Sequence, residues 1–336
     1  MNMNQWLKDL RAASVRKPLP ILSFPSVTLT GIAVHELVTD SDKQAQGIVA
    51  VARRCDAAAA VSVMDLSVEA ECFGAEILFQ GDEVPTVVGT LVETAEQAQA
   101  LPIPRVGDAR SGVYVEAVRK AAALIPDRPL LAGTIGPYSL ASRLMDVTQT
   151  MVNCYVEPEM VHTVLDKVTS FLINYILAFK EAGADGVVLA EPAGGLLTPE
   201  LCQEFSSDYV RRIVEAVQDD TFIVVYHNCG GAVDRLVPEI VSVGAAAYHF
   251  GNAVPITSML EQMPAGCFVM GNVDPIGVLR NGTPETVRAA TLEVMESACK
   301  YDNFLISSGC DIPPETPWEN LDAFFAAAAE FYANNK

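Results

Sequence analysis

An imidazole and a thiol two residues apart, His227 and Cys229, end the run Phe222-Ile223-Val224-Val225-Tyr226-His227-Asn228-Cys229-Gly230-Gly231. Residues i and i+2 of an extended chain share a face, so both side chains point the same way. Gly230 and Gly231 let the backbone turn sharply behind them. Two soft ligands at the mouth of a buried strand suit a metal, and zinc suits them best. The same pair also fits a buried histidine beside a small apolar cysteine, so a third ligand has to decide. Cys310 is the candidate, since it follows the apolar run Asn303-Phe304-Leu305-Ile306 and a glycine. Three protein ligands and one exchangeable position make the pattern of a catalytic zinc. A structural zinc is closed by four protein ligands, and the chain contains no Cys-x-x-Cys pair.

These residues need a scaffold that brings distant strand ends together. Strand-like runs alternate with helical ones, which implies parallel strands with helical crossovers. The runs are Pro20 to Phe24, Ala57 to Asp65, Pro129 to Gly136, Val187 to Ala190, Phe222 to His227, Ala246 to Phe250, Cys267 to Met270 and Asn303 to Ile306. Eight such units predict a (β/α)8 TIM barrel over 1–336, a single α/β domain with a helical N-terminal extension. Between Leu66 and Arg128 the rhythm breaks. Glu76 to Gln80 and Pro85 to Leu91, joined at Gly81-Asp82, predict an inserted β-hairpin. Helices are expected over Leu140–Cys154, Pro158–Ala182 and Val233–Val243, with Thr198 capping another that starts at Pro199.

In a barrel of this kind the C-terminal strand ends converge on the active site. That face would carry Asp65, Glu191, His227, Cys229, Asn272, Asp274 and Cys310. Glu191 reads as an exchangeable fourth ligand or nearby base, or as a carboxylate tied to barrel loops. Asn272 and Asp274 are further catalytic candidates, although Asp274 before Pro275 also fits an Asx turn. His249 reads as a satisfied core or barrel-mouth histidine, and Tyr138 as a packed aromatic. Cys55, Cys154, Cys202 and Cys299 fall in helical stretches and are expected to pack.

The segments Val225 to Gly230, Gly271 to Pro275 and Ser308 to Pro317 together resemble the uroporphyrinogen decarboxylase superfamily. Within it, they resemble the zinc-dependent methylcobamide:coenzyme M methyltransferase branch. The stretch from Ser142-Arg143-Leu144-Met145 to Pro158-Glu159 carries the likeness further, and it extends from about Lys43 onward. The resemblance implies zinc held by His227, Cys229 and Cys310. It implies methyl transfer between a methylated corrinoid and a small thiol such as coenzyme M. The opposite role is implied equally: a demethylase subunit passing methyl from a methoxylated aromatic or other donor to cobalt. No Asp-x-His-x-x-Gly motif is present, so the corrinoid is expected on a separate carrier protein. The metal-free decarboxylases bind their substrate through arginines near the N-terminus. Here Leu22-Ser23-Phe24-Pro25-Ser26 lacks an arginine pair, and Arg11 and Arg16 are expected to be solvated. A non-catalytic corrinoid-binding barrel is the remaining reading.

Composition narrows the field. The chain has 336 residues, half of them apolar, and a net charge of −20. That charge argues against nucleic acid and anionic lipid, whose phosphates need a basic surface. No apolar run approaches the roughly 20 residues of a membrane span. The opening residues do not read as a signal peptide, so the expected location is the cytoplasm.

Overall fold

The computed structural model describes residues 1–334. Seven parallel strands form one curled sheet in the order β1-β4-β5-β6-β7-β8-β9. They are β1 (Ala60–Val61), β4 (Leu130–Ile135), β5 (Gly186–Ala190), β6 (Ile223–Asn228), β7 (Ala247–Phe250), β8 (Phe268–Val273) and β9 (Phe304–Ser308). The predicted first strand supplies the eighth stave, shifted towards Pro18. Ala58 N–H donates to the Pro18 carbonyl at 2.8 Å on one side, and Leu19 N–H to the Ile306 carbonyl at 3.0 Å on the other. Pro18 and Pro20 have no N–H to give, so this stave bridges β1 and β9 without a regular ladder.

Side-chain alternation sorts the barrel into two cores. Ile223 and Val225 of β6, Ala247 of β7, Phe268 and Met270 of β8 and Leu305 of β9 point inward. The residues between them pack outward against the helices. The helix Met3–Ala12 plugs the bottom, with Met3 fully buried and Trp6, Leu7 and Leu10 against the inner core. Arg16, expected in solvent, instead donates to the carbonyls of Asp302 and Phe304 at 2.8 and 2.7 Å. Arg11 likewise reaches Asp302 at 3.1 Å. Both guanidiniums secure the extension to the base of the last stave.

The hairpin forms from β2 (Glu76–Leu78) and β3 (Thr86–Val88), paired antiparallel. The helix expected over Leu140–Cys154 is two, Pro137–Met145 and Val147–Val156. They divide at Asp146, whose φ of 67° interrupts the helix and whose carboxylate accepts from Thr148 N and Gln149 N. The stretch Val233–Val243 shortens to a 3-10 turn and the helix Val237–Val241. Cys55, Cys154 and Cys202 are buried as expected, whereas Cys299 is exposed.

Candidate metal centre at the barrel mouth

The inward parity of β6 continues past Ile223 and Val225 to His227. Cys229 lies two residues further on, just beyond the strand. Cys310 breaks the parity of β9: Leu305 is inward and Ser307 meets an inward histidine, but Gly309 intervenes and the loop then swings the thiol over the mouth. The ligand atoms of His227, Cys229 and Cys310 all lie within 4.8 Å of one another, and Cys310 Sγ is 3.4 Å from His227 Nε2. Metal bonds of about 2.0–2.3 Å arranged tetrahedrally would set ligand atoms roughly 3.5–4 Å apart. Two sulfurs and an imidazole nitrogen at this spacing therefore fit a soft or borderline divalent ion.

The two thiols are unequal. A hydrogen bond from Cys310, with His227 nearby, holds the Cys229 thiol down at about 4 against the cost of burial. The same bond, together with burial, pushes Cys310 up. The opposed directions are those of two sulfurs sharing one proton, which a cation would replace in engaging both. Gly251 makes the close approach possible: a Cβ there would sit 2.6 Å from both Cα and Cβ of Cys229.

His227 is held from behind. On the adjacent strands β6 and β7 it stands in register with His249. Its Nδ1 is 2.8 Å from His249 Nδ1, and His249 Nε2 is 2.8 Å from Ser307 Oγ. His249 is the core histidine foreseen in the sequence, but its attachment to His227 was not: only strand register reveals it.

The other candidates are engaged in hydrogen bonds of their own. Glu191 is fully buried, and its carboxylate accepts from Tyr138 N, Ser139 N and Ser139 Oγ at 3.1, 2.7 and 2.6 Å. Those donors open the helix Pro137–Met145, so the carboxylate caps that helix from outside. Burial pushes its pKa up to about 7 despite these bonds. Asn272 donates to the carbonyls of Gly251 and Val254 at 2.9 and 2.8 Å. Asp274 closes the Asx turn, accepting from Ile276 N and Gly277 N at 2.9 Å each. Asp65 bonds Ser67 N, Tyr114 OH and Arg110. Tyr138 is packed, its hydroxyl 3.8 Å from Cys154 Sγ.

A cavity of about 450 Å³ is lined by Leu66, Val87, Ser139, Arg143 and Pro192, among others. Ser139 of its lining donates to Glu191, whose own N–H donates to the His227 carbonyl at 2.8 Å.

The family model for uroporphyrinogen decarboxylase (URO-D) matches residues 22–331. The chain belongs to this family. Methylcobamide:CoM methyltransferase MtbA of Methanosarcina acetivorans is 28% identical over 272 residues, covering 80% of this chain and 78% of that one. Uroporphyrinogen decarboxylase of Coxiella burnetii is also 28% identical, over 296 residues, covering 84% and 80%. A solved methyltransferase from Methanosarcina mazei superposes with a TM-score of 0.86 at 24% identity, covering 97% of each chain, and shares the fold. The chain is thus an enzyme of the URO-D family, and overall identity does not favour one of the two named activities over the other. Among the described residues, no helix is long and apolar enough to cross a membrane.

Proposed function

We propose that the protein is a zinc-dependent methyltransferase that moves a methyl group from a methylated corrinoid, carried on a separate protein, to a small thiol such as coenzyme M. The observation that carries this reading is the convergence of His227, Cys229 and Cys310 within 4.8 Å at the C-terminal face of the barrel. A decarboxylase working without metal has no use for that donor set. Relatives named methylcobamide:CoM methyltransferases support the same choice, including MtaA of Methanosarcina barkeri, 26% identical over 341 residues.

When bound, zinc supplies the charge that holds a substrate thiol in its deprotonated, nucleophilic form near neutral pH. The chain's own residues set how nucleophilic that sulfur stays. Cys229 and Cys310 contribute two negative charges and His227 none, so the protein ligands already offset a divalent ion. A third thiolate then carries excess negative charge, which keeps its lone pair available. A hard, carboxylate-rich site would favour activated water instead. A methylated corrinoid presented by its carrier would supply an electrophilic methyl group to the thiolate held at His227, Cys229 and Cys310, and would keep the electron pair of the bond it gives up.

Glu191 and Asp274 hold loops and the helix Pro137–Met145 around this centre, and Asn272 ties the β8 end to the loop after β7. In this reading they are positioning residues. The reverse direction, from a methylated donor to reduced cobalt, uses the same ligands.

The test is incubation of zinc-loaded protein with methylcobalamin and a panel of small thiols, following the methyl-cobalt absorption. The expected result is thiol-dependent loss of that spectrum, absent in Cys310→Ala. Methyl transfer of equal rate by zinc-free protein would overturn the reading.

A further inference from the structure

We propose that His249 and Ser307 are positioning residues that fix the tautomer of His227, so that its Nε2 lone pair faces the two cysteines. The inference rests on the reading of His227 as a metal ligand through Nε2. It adds a device that the ligand set alone does not contain.

His227 Nδ1 has two neighbours: His249 Nδ1 at 2.8 Å and the His249 carbonyl oxygen at 3.3 Å. A carbonyl only accepts, and two bare ring nitrogens at 2.8 Å would repel each other. A proton on His227 Nδ1 satisfies both neighbours at once. His249 Nδ1 must then be bare, which puts its proton on Nε2, where Ser307 Oγ accepts at 2.8 Å. One arrangement of protons therefore runs from Ser307 on β9 through His249 on β7 to His227 on β6, and it leaves the His227 Nε2 lone pair facing Cys310 Sγ at 3.4 Å.

Burial makes this consequential. His227 is 2% exposed, His249 1% and Ser307 fully buried, so water offers no alternative partner. An imidazole with its proton on Nε2 would aim N–H at the place where a metal must sit. Excluding that tautomer raises affinity by preorganisation, and partners behind a ligating histidine typically affect metal affinity about 10–100-fold. The rings meet edge to face, 4.7 Å between centroids at 72°, so the contact also fixes the tilt of His227.

The test reads protons directly and needs no turnover. The chain has four histidines, so selective ¹⁵N-histidine labelling gives a tractable spectrum. In metal-free protein at about pH 8, His249 is expected to show a protonated Nε2 and a bare Nδ1. A protonated His249 Nδ1 would overturn the proposal. Zinc affinity by chelator competition gives the second reading. His249→Phe removes the acceptor and is expected to weaken zinc about 10–100-fold. His249→Asn places a carbonyl oxygen near the Nδ1 position and is expected to recover most of that loss. Equal affinity in both variants and the wild type would also overturn the proposal, as would a loss in His249→Asn as large as in His249→Phe. If His249→Phe fails to fold, the wild-type spectrum and His249→Asn still decide. Failure of the wild type to bind zinc would instead defeat the metal reading, and the tautomer measurement would stand separately.

Discussion

Cys310 is the single residue on which the proposed metal centre at the barrel rim depends. It lies 83 residues from His227 in sequence and 3.4 Å from it in space. Removing it leaves two ligands, one short of a catalytic zinc site. Cys310→Ala should therefore weaken zinc by more than the roughly 100-fold upper range of an outer-sphere change. Chelator competition and metal analysis check this, and retention of zinc at wild-type affinity would contradict it. Cys229→Ser should behave alike, since a serine hydroxyl does not ionise near neutral pH. The convergence of His227, Cys229 and Cys310 was legible in the sequence because an i, i+2 pair on a buried strand and a Gly-Cys after another leave little freedom of direction. The sequence left Glu191 and Asp274 open between reacting and holding a loop, for a physical reason: strand ends also need polar groups to cap helices and close turns. From sequence, a carboxylate that caps looks the same as one that reacts.

The elements around the cluster work by close approach and by buried charge. The loop after β7 passes Cys229 so tightly that only glycine fits at 251. Gly251→Ala should lower zinc affinity while leaving the helical circular dichroism unchanged, because the clash falls on one ligand and not on the core. The inserted segment is pinned to the second stave by Arg110. Its guanidinium pairs with Asp65 and with Glu71 at 2.6 Å and lies 5.1 Å above the ring of Phe79 on the hairpin side. Arg110→Ala strands a buried Asp65 carboxylate and should cost about 3–5 kcal/mol in denaturant unfolding. Glu69, behind the third stave, tests the sign of burial. It is buried, with one oxygen accepting from Thr134 Oγ1 and Ile135 N at 2.7 and 3.1 Å and the other unpartnered. Burial pushes its pKa up to about 7. A raised acid favours folding below its unfolded value, and that contribution disappears as pH rises through 7. Glu69→Gln should therefore stabilise the protein at pH 8, by up to about 3 kcal/mol, with the gain fading by about pH 4.5. A constant difference across that range would contradict the assignment. None of these partners was legible from spacing: Arg110 lies 45 residues from Asp65, in the segment where the βα rhythm lapses.

Across the whole molecule, eight staves place soft ligands from β6 and the β9 loop at one end and a sealed apolar plug at the other. The repeating strand–helix rhythm made this plan readable, since parallel strands admit few closures. The eighth stave was the least regular, because its prolines remove the ladder that would define it. The net charge of −20 leaves a surface suited to a partner with a basic face. X-ray absorption at the zinc edge probes the central claim most directly. The account predicts one zinc with two sulfurs at about 2.3 Å and an imidazole nitrogen at about 2.0–2.1 Å, gaining a third sulfur when the thiol substrate is added. A shell of oxygen and nitrogen alone, or no additional sulfur with a thiol that is methylated, would contradict it.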